Sequence, residues 1–307
     1  MSVLSEDVKL EAVHVSPEVP HRLRLADKYL LIFFAYTAAV CWFFPLTPGQ
    51  RLAILALSAL AGGALVGLAR SKSSAKSVFL PLRDWLPCAL IVLAYRESGL
   101  FIQPDATRRL DLLFESWDRV LLASGWFQAL VAMGTPWLGR TMELAYLLVY
   151  PFVPLGFAAV YSSRHAAHDA PGRDPVIDRY WSAVVLAVLA SYALFPYFPL
   201  TPPRELFHDF PGGTGDSALR GLNSWVLGRY SVQACIFPSG HVAGAVATAL
   251  AVHRERPRLG IVFLFAAAMI SASTFYGRYH YGADALAGAL VGVAAFVITG
   301  VITRRKQ

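Results

Sequence analysis

Cysteine is scarce in this chain, and so is charge. There are 3 cysteines in 307 residues, Cys41, Cys88 and Cys235. They stand far apart with no Cys-x-x-Cys pair, which gives no sign of a disulfide framework or a zinc site. Charged residues make up 15% against 56% hydrophobic, and mean hydropathy is +0.50. A soluble domain of this length needs far less apolar surface to fill its core. Internal repeats and low-complexity segments are also missing. The first 28 residues mix both signs without an apolar core, so no cleavable signal peptide is expected there.

What is present is a series of apolar runs separated by polar punctuation. A bilayer-crossing helix takes about 20 mostly apolar residues. Runs of that kind fall at about 29–46, 51–69, 83–102, 141–162, 179–199, 238–253, 259–276 and 283–302. The expected fold is therefore all-α, a polytopic membrane helical bundle of about eight transmembrane helices. The third run is the weakest, carrying Arg83, Asp84, Arg96 and Glu97. A charge at mid-bilayer costs roughly 2.5–3.5 kcal/mol on insertion scales, unless it lies near the interface or faces a partner within the protein.

The distribution of lysine and arginine tests this topology independently. With all eight spans and a cytoplasmic N-terminus, 17 of the 27 basic residues fall on the cytoplasmic side. The bias is concentrated in the short loops 70–83 and 254–258 and in the C-terminal tail, where the positive-inside rule is most reliable. Both termini are expected inside. The net charge of +7 follows from topology and calls for no nucleic-acid partner. Residues 103–140 are too polar to span, but "LLFESWDRVLLASGWFQALV" has helical periodicity with Trp117 and Trp126, and predicts a helix in the outer interface or packed over the bundle's mouth.

This topology puts three stretches on the same non-cytoplasmic face: "PLTPPREL" (199–206), "FPSGHVAG" (237–244) and "GRYHYGADALAG" (277–288). Together they bring Arg204, Ser239, Gly240, His241, Arg278, His280 and Asp284 to the ends of neighbouring spans. Two arginines, two histidines and one carboxylate at a membrane surface suit a phosphate. Pro238 and Ser239 read as a helix start, with Ser as cap and Pro preset for the first turn. The free amides near Gly240 and His241 would favour an anion. Asp284, four residues after His280, can fix the imidazole tautomer and leave the other ring nitrogen free as a nucleophile. Arg204 and Arg278 offer planar, permanent positive charge to phosphoryl oxygens.

Each residue alone has an ordinary explanation as an interfacial hydrogen-bonder or a snorkelling anchor. A Pro-Ser-Gly-His tetrapeptide arises by chance in a chain this long on the order of once in 500. Its coincidence with His-x-x-x-Asp on one face makes chance a poor account.

These residues resemble the type 2 phosphatidic acid phosphatase superfamily. Pro238, Ser239, Gly240 and His241 match its second motif in full. His280 and Asp284 match the latter half of its third, Ser-Arg-x5-His-x3-Asp, although Thr274 stands where that motif has arginine. The first motif is not present in standard form. Pro203-Arg204 is its best counterpart by location, while Arg256-Pro257 falls on the cytoplasmic side.

The resemblance implies a six-helix lipid-phosphatase-like core. The corresponding division is a cytoplasmic tail over 1–28, two additional transmembrane helices over 29–79, and the core over 80–307. It also implies a mechanism: His280 is the nucleophile, Asp284 its support, and His241 the acid that protonates the leaving oxygen. Arg204, Arg278, Ser239 and Gly240 hold the phosphate, and neither metal nor cofactor takes part.

The altered arginines and His-Tyr-x-x-Asp look more like the inositol phosphorylceramide and sphingomyelin synthase branch. That points to a head-group phosphotransferase acting on a lipid phosphate or phospholipid, with a polyol or lipid alcohol as acceptor. The alternative is a simple lipid phosphate or polyprenyl pyrophosphate phosphatase. The loop 208–233, with Arg220 and Trp225, reads either as a lid over a head-group pocket or as ordinary packing. A transporter that only binds lipid phosphate would have no use for a His-Asp pair beside a second histidine, and no inverted repeat supports one. The expected location is a bacterial inner membrane, with the site on the outer face.

Overall fold

The computed structural model describes residues 23–70, 79–102, 111–132, 136–165, 175–207, 217–232 and 234–304. In chain order the helices are α1 Leu25–Val40, α2 Pro48–Arg70, α3 Phe79–Gly99, α4 Asp111–Leu122, α5 Gly125–Ala132, α6 Pro136–Leu147, α7 Val149–His165, α8 Pro175–Leu194, α9 Ala218–Tyr230, α10 Gly240–Glu255, α11 Pro257–Tyr276 and α12 Gly282–Arg304. The only pairing of strands among the described residues is antiparallel, between β1 Pro199–Leu200 and β2 Cys235–Ile236. The all-α expectation holds.

Among the described residues four helices are long and apolar enough to cross a membrane, α2, α8, α11 and α12, and the bent pair α6–α7 brings the number to five. The expected spans at α1 and α10 are helices of 16 residues, shorter than a full crossing. The span expected over 141–162 is not one straight helix, because α6 and α7 meet at 59°. Pro151 lies at this break, and with no N–H it cannot bond the Leu147 carbonyl four residues back. Apolar side chains such as Ile32, Leu52, Phe265 and Leu290 point outward, as lipid-facing positions should.

Arg83, Asp84 and Glu97 of α3 all find partners on neighbouring helices. Arg24 bonds Asp84, and Arg83 lies 3.4 Å from Asp27, which joins both ends of a two-pair clamp between α3 and the start of α1. Near the other end of α3, the buried Glu97 accepts from Thr37 and from Ser58 (3.1 Å). The two Arg–Asp pairs meet the condition that buried ions be paired, while Glu97 is held by hydroxyl donors.

α10 is the hub of the bundle, packed against α7, α8, α11 and α12. Small residues allow the close approach. A Cβ on Gly288 of α12 would sit 2.5 Å from the Ser239 carbonyl oxygen, and one on Gly292 would sit 2.7 Å from that of Ala243. The C-termini of α8 and α11 and the N-termini of α10 and α12 therefore meet at one end of the bundle. At the other end, Arg179 pairs with Glu255 at 3.1 Å and Arg256 bonds the Ala159 carbonyl.

Candidate active site

The three sequence stretches meet through backbone contacts. The β1–β2 pairing sets Leu200 opposite Cys235, which fixes the 199–206 segment beside the approach to α10. The Arg204 amide donates to the Arg278 carbonyl at 3.0 Å, and the Ser239 amide to the Asp284 carbonyl at 3.1 Å. The end of α11 then coils tightly, with the Thr274 carbonyl accepting from the amides of both Tyr279 (2.8 Å) and His280 (3.0 Å). Arg278 takes a positive φ of 59° in that turn, a conformation unfavourable for a side chain and held here by the Arg204 bond to its carbonyl.

Ser239 is the N-cap of α10 and accepts from the Val242 amide at 3.4 Å. Pro238 precedes the cap instead of occupying the first helical position. The Ser239 hydroxyl is therefore committed to the helix, whereas Gly240 and His241 line the adjoining cavity. A Cβ at Gly240 would come within 2.7 Å of the Tyr192 ring.

His280 sits between its two expected partners. Its Nδ1 is 3.1 Å from Asp284 Oδ2, and its Nε2 is 3.4 Å from His241 Nδ1. When Nδ1 donates to the carboxylate, Nε2 carries the lone pair and faces His241. The rings are edge to face, with centroids 5.6 Å apart. Arg204, His241 and His280 line one small cavity of about 30 Å³, with Gly240, Tyr95 and Tyr192. Arg278 lies off that wall, its guanidinium donating to the Phe207 carbonyl.

A second cavity of about 360 Å³ shares His241 and Gly240 with the first and runs between α3, α7, α8 and α10. Val149, Val153, Val188 and Ala245 make its walls apolar, and Arg96 lies on its lining.

Several residues that shape the site were not singled out in the sequence. Glu143, fully buried in α6, accepts from Arg220 at 3.2 Å, from Asn223 and from the Tyr279 hydroxyl at 2.6 Å. Arg220 also donates to the Gly277 carbonyl at 2.9 Å, and Tyr279 stacks on Tyr146 at 3.6 Å. Burial pushes the Tyr279 hydroxyl well above its usual pKa, so it stays a donor to Glu143. Arg220 thus braces the turn that carries His280. The rest of the expected lid, 208–216, lies outside the described residues, and 218–230 is the helix α9.

α4 braces the other side. Both Asp118 oxygens accept from the Gly282 amide at the start of α12, at 3.0 and 3.2 Å, and Phe114 packs on Tyr281 and Phe237. Its opposite face exposes Leu112, Trp117 and Val120, as the expected interfacial helix requires. Burial, with Asp284 adding to it, pushes the Asp118 carboxyl up to about 7 against the lowering effect of the Gly282 amide.

The last of these residues is Cys235, whose Sγ lies 3.2 Å from His280 Nδ1 and 3.0 Å from Asp284 Oδ2. It has no periodicity or motif to mark it. Only the β1–β2 pairing brings it under the histidine.

Residues 116–298, more than half of the chain and including all three stretches, match the family model described as the PAP2 superfamily. The chain belongs to that superfamily. A stretch of 67 residues, 22% of this chain, is 39% identical to a PA-phosphatase related-family protein of Dictyostelium discoideum. The match spans 12% of that relative's length. No solved structure matches the chain.

Proposed function

We propose that the chain is an integral membrane lipid phosphate phosphatase working through a phosphohistidine on His280. The observation that carries this reading is the chain of contacts Asp284 Oδ2 to His280 Nδ1, and His280 Nε2 to His241 Nδ1, on a cavity that Arg204 also lines. A phosphoryl group entering the cavity would replace the contact between the two rings. His280 Nε2 attacks phosphorus while Asp284 balances the charge that builds on the ring. His241 gives its proton to the leaving lipid oxygen and later takes one from water, a role typically worth 10²–10⁴ in rate.

Arg204 and the free amides at the start of α10 stabilise the equatorial oxygens. These groups supply the whole of the positive charge, so the reaction as proposed needs no metal. Arg278 would reach the phosphate only by releasing Phe207, and is assigned to holding the turn. Ser239 contributes through its cap.

The apolar cavity of about 360 Å³ that opens at His241 offers a place for the lipid's hydrocarbon chain. The cavity of about 30 Å³ beside the histidines has room for a water, as hydrolysis requires. Transfer to an alcohol is the second reading. It is favoured by Thr274 standing where the third motif has arginine, and by Arg278 lying off the cavity wall.

In the membrane, α2, α3, α6–α7, α8, α11 and α12 cross, and the 16-residue helices α1 and α10 complete eight spans together with the residues that flank them. An added helical pair, 29–79, precedes a core over 80–307, and the ion pairs of Arg24 and Asp27, just before that pair, with Asp84 and Arg83 tie the two together. An even number of spans and the distribution of basic residues put both termini, including the 1–28 tail, in the cytoplasm and the site on the outer face, in keeping with a bacterial inner membrane.

The test incubates purified protein, in detergent without added metal, with a panel of lipid phosphates and phosphodiester lipids, with and without inositol or a lipid alcohol. Mass spectrometry follows the products. Free phosphate formed in water alone supports hydrolysis, a new phosphodiester seen only with acceptor establishes transfer, and no product under any condition refutes both.

A further inference from the structure

Beneath the His280 ring lies a ligand set that the proposed reaction uses only in part. Cys235 Sγ, His280 Nδ1 and Asp284 Oδ2 form a triangle with edges of 3.2, 3.1 and 3.0 Å. The three atoms come from three elements, β2, the turn after α11 and the first turn of α12. All three residues are buried, at 3%, 7% and 0% exposure. The other Asp284 oxygen, Oδ1, is also buried and has no partner among the described residues. A buried carboxylate oxygen left without a donor is costly, and a cation is the partner that would relieve it.

A thiolate, an imidazole and a carboxylate together suit a borderline divalent ion of the zinc class; calcium and magnesium take oxygen ligands. Tetrahedral bonds of about 2.0–2.3 Å would set the ligand atoms about 3.3–3.6 Å apart, so each edge needs to open by only a few tenths of an ångström. Thiolate and carboxylate together neutralise a divalent ion, which a dry site favours. Cys235 and His280 both line the cavity shared with Arg204 and His241, which gives the ion a route in and a water as fourth ligand.

We propose that Cys235, His280 and Asp284 form an inhibitory site for a zinc-class divalent ion. Binding takes the Cys235 sulfur as thiolate, its proton leaving to solvent. The His280 proton moves from Nδ1 to Nε2, and the metal takes the freed Nδ1 lone pair, so the ring stays neutral. Nε2, now N–H, has no lone pair with which to attack phosphorus. The inhibition rests on the phosphohistidine reading above, but the binding does not.

The experiment titrates the purified protein in detergent with Co²⁺ and then Zn²⁺, following the thiolate-to-cobalt absorption in the near ultraviolet and, in parallel, lipid phosphate hydrolysis. The expected result is one Co²⁺ per chain, an absorption band displaced by Zn²⁺, and turnover lost at stoichiometric Zn²⁺ and restored by a chelator. Cys235→Ala should lose the band. It should need at least about 100-fold more Zn²⁺ for the same fractional inhibition, each variant being compared with its own metal-free rate. Cys235→Ser, closer in shape, repeats the comparison if the alanine variant does not elute as a folded species. Absence of the band, or equal Zn²⁺ sensitivity in the Cys235 variants, would overturn the proposal. If no substrate is turned over at all, the function proposed above fails, while band and stoichiometry still decide the metal site.

Discussion

Gly288→Ala is the substitution that most sharply separates the geometry of the site from the stability of the bundle. The added Cβ would lie 2.5 Å from the Ser239 carbonyl oxygen and 3.2 Å from the Ser239 Cβ. Ordinary carbon–oxygen contact begins near 3.3 Å, so α12 and the start of α10 must part by roughly 0.5–1 Å. That displacement falls on the bond from the Ser239 amide to the Asp284 carbonyl, and so on the relative placement of His241 and His280. Overpacking of this kind costs about 1–3 kcal/mol, while replacing a helical glycine by alanine returns up to about 1 kcal/mol. Net stability should fall only modestly. Catalysis is less forgiving, since a 1 Å misplacement can cost about 10²-fold. The expected result is a drop in kcat of about 10–100-fold with Tm lowered by only a few degrees, measured by phosphate release and thermal unfolding in detergent. Gly63→Ala, inside α2 where a Cβ meets nothing within 4 Å, is the control and should leave kcat unchanged and Tm the same or slightly raised. Full activity in Gly288→Ala would refute the view that this contact positions the histidines.

Other outcomes follow from the same geometry. His241→Ala should lower kcat by about 10²–10⁴ and do so least with substrates whose leaving group needs no proton, a comparison made with lipid and aryl phosphates. Arg204→Ala should lower kcat/KM by about 10²–10³, and Arg204→Lys should recover only part of it, because an ammonium cannot grip two phosphoryl oxygens at once. Asp118 binds its proton more tightly folded than unfolded. Its contribution to stability is thus complete below its unfolded pKa near 4 and is lost as pH rises to about 7. Asp118→Asn keeps an acceptor for the Gly282 amide and should flatten that part of the Tm profile between pH 4 and 7.

Much of this was legible in the sequence because its signals were local. Apolar runs mark helices, Pro-Ser-Gly-His marks a capped helix start, and His280 and Asp284 stand within four residues of each other. Pro151 was equally visible, but hydropathy does not register a missing backbone donor, so the break between α6 and α7 was read as one span. α1 is helical where expected but, at 16 residues, shorter than the run over 29–46, while α10 has the length of the run over 238–253 and lies two residues further along. Glu143, Asp118 and Cys235 escaped notice for a different reason. Each acts through a partner 45 to 164 residues away in the chain, and nothing in composition or spacing announces such a pairing. Arg278 shows the converse case, a charge whose type suited the phosphate but whose side chain the turn directs to Phe207.

The most direct test of a histidine-linked phosphatase is to trap the intermediate. Protein and a lipid phosphate labelled in its phosphoryl group are mixed, quenched in alkali within one turnover, and digested for mass spectrometry. A phosphoryl group on His280, absent in His280→Ala and accumulating in His241→Ala when the leaving group needs no proton, is the result predicted. Turnover without any phosphoryl-enzyme, or full activity in His280→Ala, would contradict it.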